Sequence, residues 1–182
     1  MWEVVQVGRR CLVQVGRLLV VQFRPSNHSG VVNIFLFCEP LRARRWTDVT
    51  ARRTKVDWAL QIKDLVDVRY PHAERIVLVM DNLNTHSPAS LYDTVPPQEA
   101  KRLADKLEIH HTPKHGSWLN IAEIELSVLS RQCLDRRVPD LETLQREVAA
   151  WQDTRDRTAT TVNWRFTAAD ARIKLKRLYP SL

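Results

Sequence analysis

Apolar and polar positions alternate along this chain in a way that orders its elements. Val31-Val32-Asn33-Ile34-Phe35-Leu36-Phe37-Cys38 is an apolar, β-branched and aromatic run closed by Pro40, which reads as a buried strand. Arg44 to Thr50 reads as a neighbouring strand. Between Val56 and Val68, the residues Val56, Ala59, Leu60, Ile62, Leu65 and Val66 recur at near-helical spacing with acidic residues between them. That predicts an amphipathic helix, ended at Tyr70-Pro71. Ile76-Val77-Leu78-Val79-Met80 follows, an uninterrupted apolar run of the kind found in a central parallel strand covered on both faces.

Beyond it, a helix is expected over about Gln98–Leu107, led by Pro96-Pro97, and a strand over Glu108–Thr112. Pro113, Gly116 and Ser117 form a turn, with Ser117 a fair N-cap for a long helix over roughly Leu119–Leu134. Two basic amphipathic helices close the chain, about Leu141–Thr154 and Thr167–Leu178. Strands, helix, strand, helix, strand and helices in this order predict one α/β domain with a mixed sheet.

The first 24 residues differ. Val5-Gln6-Val7-Gly8-Arg9 recurs as Val13-Gln14-Val15-Gly16-Arg17. The alternation permits two short strands joined near Gly8–Cys11, and Arg24 to Gly30 is a turn-rich connector. Residues 1–29 are therefore set apart as an atypical segment ahead of a domain over 30–182.

Composition narrows the classes. The 182 residues are 44% hydrophobic and 27% charged, with only four glycines, which suits a globular domain and excludes collagen-like sequence. No apolar run approaches the roughly 20 residues of a membrane helix. Met1-Trp2-Glu3 lacks a basic segment ahead of an apolar core, and Cys11, Cys38 and Cys133 are an odd set without CxxC spacing. A reduced, cytoplasmic protein is the expectation.

Charge is unevenly placed. Residues 1–55 hold ten basic and three acidic groups, residues 56–130 seven and eleven, and residues 131–182 eleven and seven. Basic flanks around an acidic middle suit a polyanion outside and cations within, although a solvated surface gives the same count.

Candidate chemistry sits in that acidic middle. Asp81 lies immediately beyond the carboxyl end of the expected central strand, at the rim where open α/β sheets bind ligands. It either reaches into that crevice or caps the following turn. Glu123 shares a helix face with Leu119 and Leu126, where a carboxylate is costly unless a cation or donor meets it. Asn120 sits on the same side and can supply hydrogen bonds. Glu125 lies about 200° round the helix from Glu123, so the two cannot serve one site. Carboxylates on rigid elements suit hard cations such as Mg²⁺ or Mn²⁺. Zinc fits less well, because His110, His111 and His115 have no cysteine neighbours and the adjacent pair points to opposite strand faces.

Three blocks carry a resemblance: Asp81-Asn82-Leu83-Asn84-Thr85-His86, Thr112-Pro113-Lys114-His115-Gly116-Ser117-Trp118-Leu119-Asn120, and Asn120-Ile121-Ala122-Glu123. They resemble mariner-related insertion-sequence transposases of the bacterial IS six-thirty type, whose catalytic part is a DDE superfamily endonuclease domain. The resemblance, from about Gly30 to Leu182, implies a ribonuclease H-like mixed sheet flanked by helices, with an acidic triad holding two Mg²⁺ (or Mn²⁺) ions. It makes Asp81 and Glu123 catalytic and metal-binding, and Asn82, His86 and Asn120 supporting. Lys114, Arg165, Lys174 and Lys176 become candidate DNA contacts. The implied partners are transposon-end and target DNA, a second copy, or an intact transposase, in a nucleoid-associated cytoplasmic setting.

One member of the pattern is missing. The family's first strand carries the first catalytic Asp in an Asp-Glu pair, whereas the acidic residues before Asp57 are only Glu3, Glu39 and Asp48. Glu3 is the sole candidate substitute. The first strand is expected to be lost, or replaced by residues 12–23 through apolar patterning. Translation in a shifted frame would account for residues 1–24, and reading the upstream DNA in three frames for an Asp-Glu strand tests this. The expected function is DNA transposition by a catalytic domain inactive alone. The competing readings are a non-catalytic DNA-binding or dimerisation fragment and an unrelated ribonuclease H-like nuclease.

Overall fold

Every side chain from Val32 to Glu39 is buried, because this apolar run forms a strand with a helical layer on each face. The computed structural model describes residues 10–23, 30–40, 42–52, 54–80, 87–112, 120–159 and 167–174. The strands are β1 (Arg10–Phe23), β2 (Gly30–Glu39), β3 (Arg44–Thr50), β4 (Arg75–Met80) and β5 (Leu107–His111). They form one mixed sheet in the order β3-β2-β1-β4-β5, with β1–β2 and β2–β3 antiparallel and β1–β4 and β4–β5 parallel.

Helices α1 (Lys55–Asp64), α2 (Ala89–Tyr92) and α3 (Pro97–Asp105) cover one face. There Val13, Val15, Phe35, Phe37, Ile76, Leu78 and Met80 pack with Trp58, Ile62, Leu91 and Leu103. Helices α4 (Ile121–Leu129) and α5 (Leu141–Arg157) cover the other, where Ile34, Leu36 and Cys38 meet Leu126, Leu129, Leu144, Val148 and Trp151. A short helix α6 (Ala168–Lys174) follows.

Local chemistry sets the ends. Thr54 and Asp57 form a capping box at the start of α1. Pro97 occupies the first turn of α3, where its missing N–H costs nothing. Asp140 accepts the Thr143 amide at 2.7 Å to begin α5. Helices α1 and α4 each run on into a π-helical turn, Leu65–Arg69 and Ser130–Leu134.

The atypical segment differs from its sequence reading. Its described part is a single 14-residue strand, β1, which already includes Arg10 and Cys11, part of the join expected between two short strands; Gly8 and Arg9 lie outside the described residues. Cys11 to Gln14 pair with Ile76 to Val79, so tertiary pairing carries the strand through. This strand takes the central place in the sheet, a position compatible with the apolar pattern of residues 12–23. A register shift between Gly16 and Leu19 against β2 marks a bulge just beyond the last β1–β4 pair. Val5 and Val7 lie outside the described residues.

Candidate functional site at the start of α4

Strand β1 and helix α4 meet at a junction made of amides. The Gln14 side-chain oxygen accepts the Ile121 backbone N–H at 2.7 Å. The Asn120 side-chain nitrogen donates to the Val15 carbonyl at 2.7 Å, while its oxygen accepts the Ala122 N–H at 3.1 Å. Asn120 is fully buried and is the N-cap. The helix therefore starts at Ile121 with Asn120 as its cap; Ser117 and Leu119, the expected cap and start, lie outside the described residues. Asn120 has the extended backbone and short acceptor that a cap needs, and β1 supplies partners for its remaining donor.

Glu123 follows in the first turn of α4, half-buried, its backbone N–H donating to the Asn120 carbonyl at 3.0 Å. A carboxylate there sits favourably at the positive end of the helix dipole. The strand register places this turn in the sheet. Gln14 pairs with Val79, one residue before Met80, the last residue of β4. The same row runs Arg45–Cys38–Gln14–Val79–His110 across all five strands. At one end of it His110 lies 3.0 Å from Glu108, both half-buried, while His111 is exposed.

Glu125 faces a different environment, as its angular separation from Glu123 requires. It is 1% exposed and accepts a bidentate pair from Arg155, at 2.9 and 2.8 Å. Arg45 Nε lies 3.3 Å from the same carboxylate, and Arg45 Nη1 donates to Asp156 at 2.9 Å. Burial raises the Asp156 carboxyl above its ordinary value, outweighing the attraction of Arg45. Burial, reinforced by the Glu125 charge, pushes the neighbouring Cys38 thiol up to about 12, so it stays protonated and unreactive.

The sequence-derived site is only partly within the described residues. Glu123 and Asn120 come together at the α4 start, and Lys174 is the last residue of α6. Asp81, Asn82, His86, Lys114, Arg165 and Lys176 lie outside the described residues. Asn120 differs from its expected role in one respect: its side chain serves the backbone of β1 and α4. Gln14, Arg45 and Arg155 went unnoticed as site elements. Gln14 alternates with Val13 and Val15 and so reads as a solvent-facing strand residue; its partner is 107 positions away. Among the described residues no group of three or more His, Cys, Asp and Glu is gathered as a metal centre would need. None of their helices is long and apolar enough to cross a membrane.

Comparison with known proteins places this architecture. No curated protein matches the chain. Among solved structures, the Mos1 strand transfer complex matches with a TM-score of 0.55 at 11% identity, covering 83% of this chain and 50% of that one. The simian T-cell lymphotropic virus intasome, in complex with a PP2A regulatory subunit, matches with a TM-score of 0.46 at 10% identity, covering 76% of this chain and 46% of that one. The chain thus spans about half the length of these structures. The Mos1 likeness shows a shared ribonuclease H-like fold, a mixed five-stranded sheet flanked by helices. A family model, the DDE superfamily endonuclease, matches residues 6–145, a span that takes in β1 as well as the three sequence blocks. This chain belongs to the DDE superfamily endonucleases.

Proposed function

We propose that the chain is the catalytic-domain portion of a mariner-related insertion-sequence transposase, acting in DNA transposition, and that it does not cleave DNA on its own. The family chemistry is hydrolysis of a phosphodiester at a transposon end, then attack of the freed 3′-hydroxyl on target DNA. DDE superfamily endonucleases use divalent metal ions, and in this chain Asp81 and Glu123 are the carboxylates assigned to hold Mg²⁺ or Mn²⁺, with Asn82, His86 and Asn120 supporting them.

One observation carries the claim of inactivity. Strand β1 occupies the centre of the sheet, and its sequence, Arg10 to Phe23, contains no aspartate or glutamate. Where it meets the helix of Glu123 it presents Gln14, a neutral amide engaged with Ile121. The donor set does not fit two ions: hard divalent cations need several oxygen ligands, and the central strand adds no charged one. The negative charge that develops on a phosphodiester in the transition state is then poorly neutralised. Incubating the purified protein with Mn²⁺ or Mg²⁺ and DNA carrying transposon ends should give no cleavage above background. Robust cleavage that disappears in Asp81→Asn would overturn this reading.

The C-terminal cations favour a second reading, a DNA-binding or dimerisation fragment that modulates an intact transposase. Arg172 is exposed on α6, with Lys174 at its end and Arg165, Lys176 and Arg177 beside it in sequence. Binding of DNA without metal, with affinity falling linearly against salt on a log–log plot, supports this reading. Absence of binding at low salt removes it. Either role is carried out on nucleoid DNA in the cytoplasm.

A further inference from the structure

Helix α4 is held at two points, and Glu123 lies between them. At its first residue the helix is tied to β1 through Gln14 and Asn120. Two residues beyond Glu123, Glu125 is tied to β3 and α5 by Arg45 and Arg155. The second tie is buried: the side chains of Arg45 and Glu125 are 3% and 2% exposed, and that of Arg155 is 14% exposed. Taking such charges out of water is expensive, and a well-packed apolar cluster of similar volume is often at least as stabilising. Its distinctive physical property is direction. A bidentate guanidinium–carboxylate pair admits one relative orientation of its two planes, so it fixes the rotation of α4 about its own axis.

Arg155 is itself held. It lies 5.4 Å from the Trp151 ring centre, and Trp151 donates to Gln132 at 2.9 Å. Arg45 is fixed by its strand and by Asp156, which accepts both its side chain at 2.9 Å and its backbone N–H at 3.2 Å. The four charged groups therefore join three elements into one rigid unit behind the helix.

We infer that Arg155 is a positioning residue: through Glu125 it sets the rotation of α4 and so the aim of the Glu123 carboxylate at the β1–β4 rim. The metal-binding part of this inference rests on the proposed role of Glu123; the rotational part does not.

The test compares Arg155→Met and Arg155→Lys with the unaltered chain by hydrogen exchange and by Mn²⁺ titration followed by electron paramagnetic resonance. Arg155→Met should speed exchange of the Ala122 to Leu126 amides about tenfold while leaving the α3 amides in the opposite layer unchanged. It should also weaken Mn²⁺ binding about tenfold, with Arg155→Lys restoring part of both. Equal acceleration in α3 and α4 would mark a merely structural contribution and overturn the inference, as would unchanged α4 exchange. Selective α4 loosening with unchanged Mn²⁺ affinity would also overturn it. If the unaltered chain binds no Mn²⁺, the metal-binding assignment of Asp81 and Glu123 fails, while the exchange comparison still decides whether Arg155 orients α4. Should Arg155→Met not fold, Arg155→Lys alone decides by the same comparison.

Discussion

The amide oxygen of Gln14 on β1 takes the backbone hydrogen of Ile121, the first residue of α4, across a gap of 2.7 Å. Deleting that acceptor leaves a helix-start N–H without its partner. Gln14→Ala should cost about 1–2 kcal/mol, and Asn120→Ala about 2–3 kcal/mol, because it removes a cap and the donor to Val15 together. Gln14→Glu retains an acceptor and should remain closer to the unaltered chain than Gln14→Ala. Urea unfolding of the three variants checks this ranking. Equal losses for Gln14→Ala and Gln14→Glu would show that the acceptor is unimportant.

Helix α5 closes the outer edge of β3. The outward N–H of Thr47 donates to Gln152 at 2.7 Å, and that of Arg45 to Asp156 at 3.2 Å. An uncapped edge strand presents free donors to other chains. Gln152→Leu should therefore lower stability by about 1–2 kcal/mol and increase self-association. Unfolding curves and light scattering at matched concentrations measure the two effects. A variant as monodisperse and as stable as the parent would show that Gln152 does not protect the edge.

Asp67 gives the acid side of the stability profile. The Arg102 guanidinium, bound at 2.8 and 2.9 Å, and the Lys63 ammonium beside it hold the Asp67 carboxyl below its ordinary value of 3.8. A lowered value in the folded state means that this stabilisation is fully present above the ordinary carboxylate range. It is lost as pH falls through the lowered folded value. The groups are partly exposed, so the contribution is small, about 0.5–1 kcal/mol. Asp67→Asn should lie below the parent by that amount at pH 7, and the gap should close on acidification. A gap independent of pH would contradict this origin.

Ala159 ends α5 in the left-handed region, at φ 45°, directly after the cap residue Thr158. A Cβ is strained there and glycine is not. Ala159→Gly should raise stability by about 0.5–1 kcal/mol after the added freedom of the unfolded chain is set against the relief. Thermal unfolding reads this directly, and a lowered midpoint would refute it.

The elements legible in the sequence are those whose signal is local. Ile76–Met80 announces a central strand because burial on both faces demands an unbroken apolar run, and β4 spans Arg75–Met80. The helix expected over Val56–Val68 and the strand over Glu108–Thr112 differ from the observed elements mainly at their ends. Ala89–Tyr92 was not foreseen, since one helical turn is too short to show a period. What could not be read depends on distant partners. Ser117 and Asn120 are both good caps by residue type, and Val15, 105 positions from Asn120, favours the latter. Glu125 looks like another surface acid until Arg45 and Arg155 close over it. Of the candidate site, Glu123 and Asn120 were recognisable as a motif, but Gln14 carries no local mark.

The family match stops at residue 145, yet α5 continues to Arg157. Arg155, Asp156 and Gln152, which meet Glu125, Arg45 and the outer edge of β3, all stand on that continuation. The packing around α4 therefore reaches past the span that similarity delimits: a fragment cut at the homology boundary would keep the helix bearing Glu123 but remove Arg155, leaving the buried Glu125 carboxylate with Arg45 as the remaining one of those two ion-pair partners.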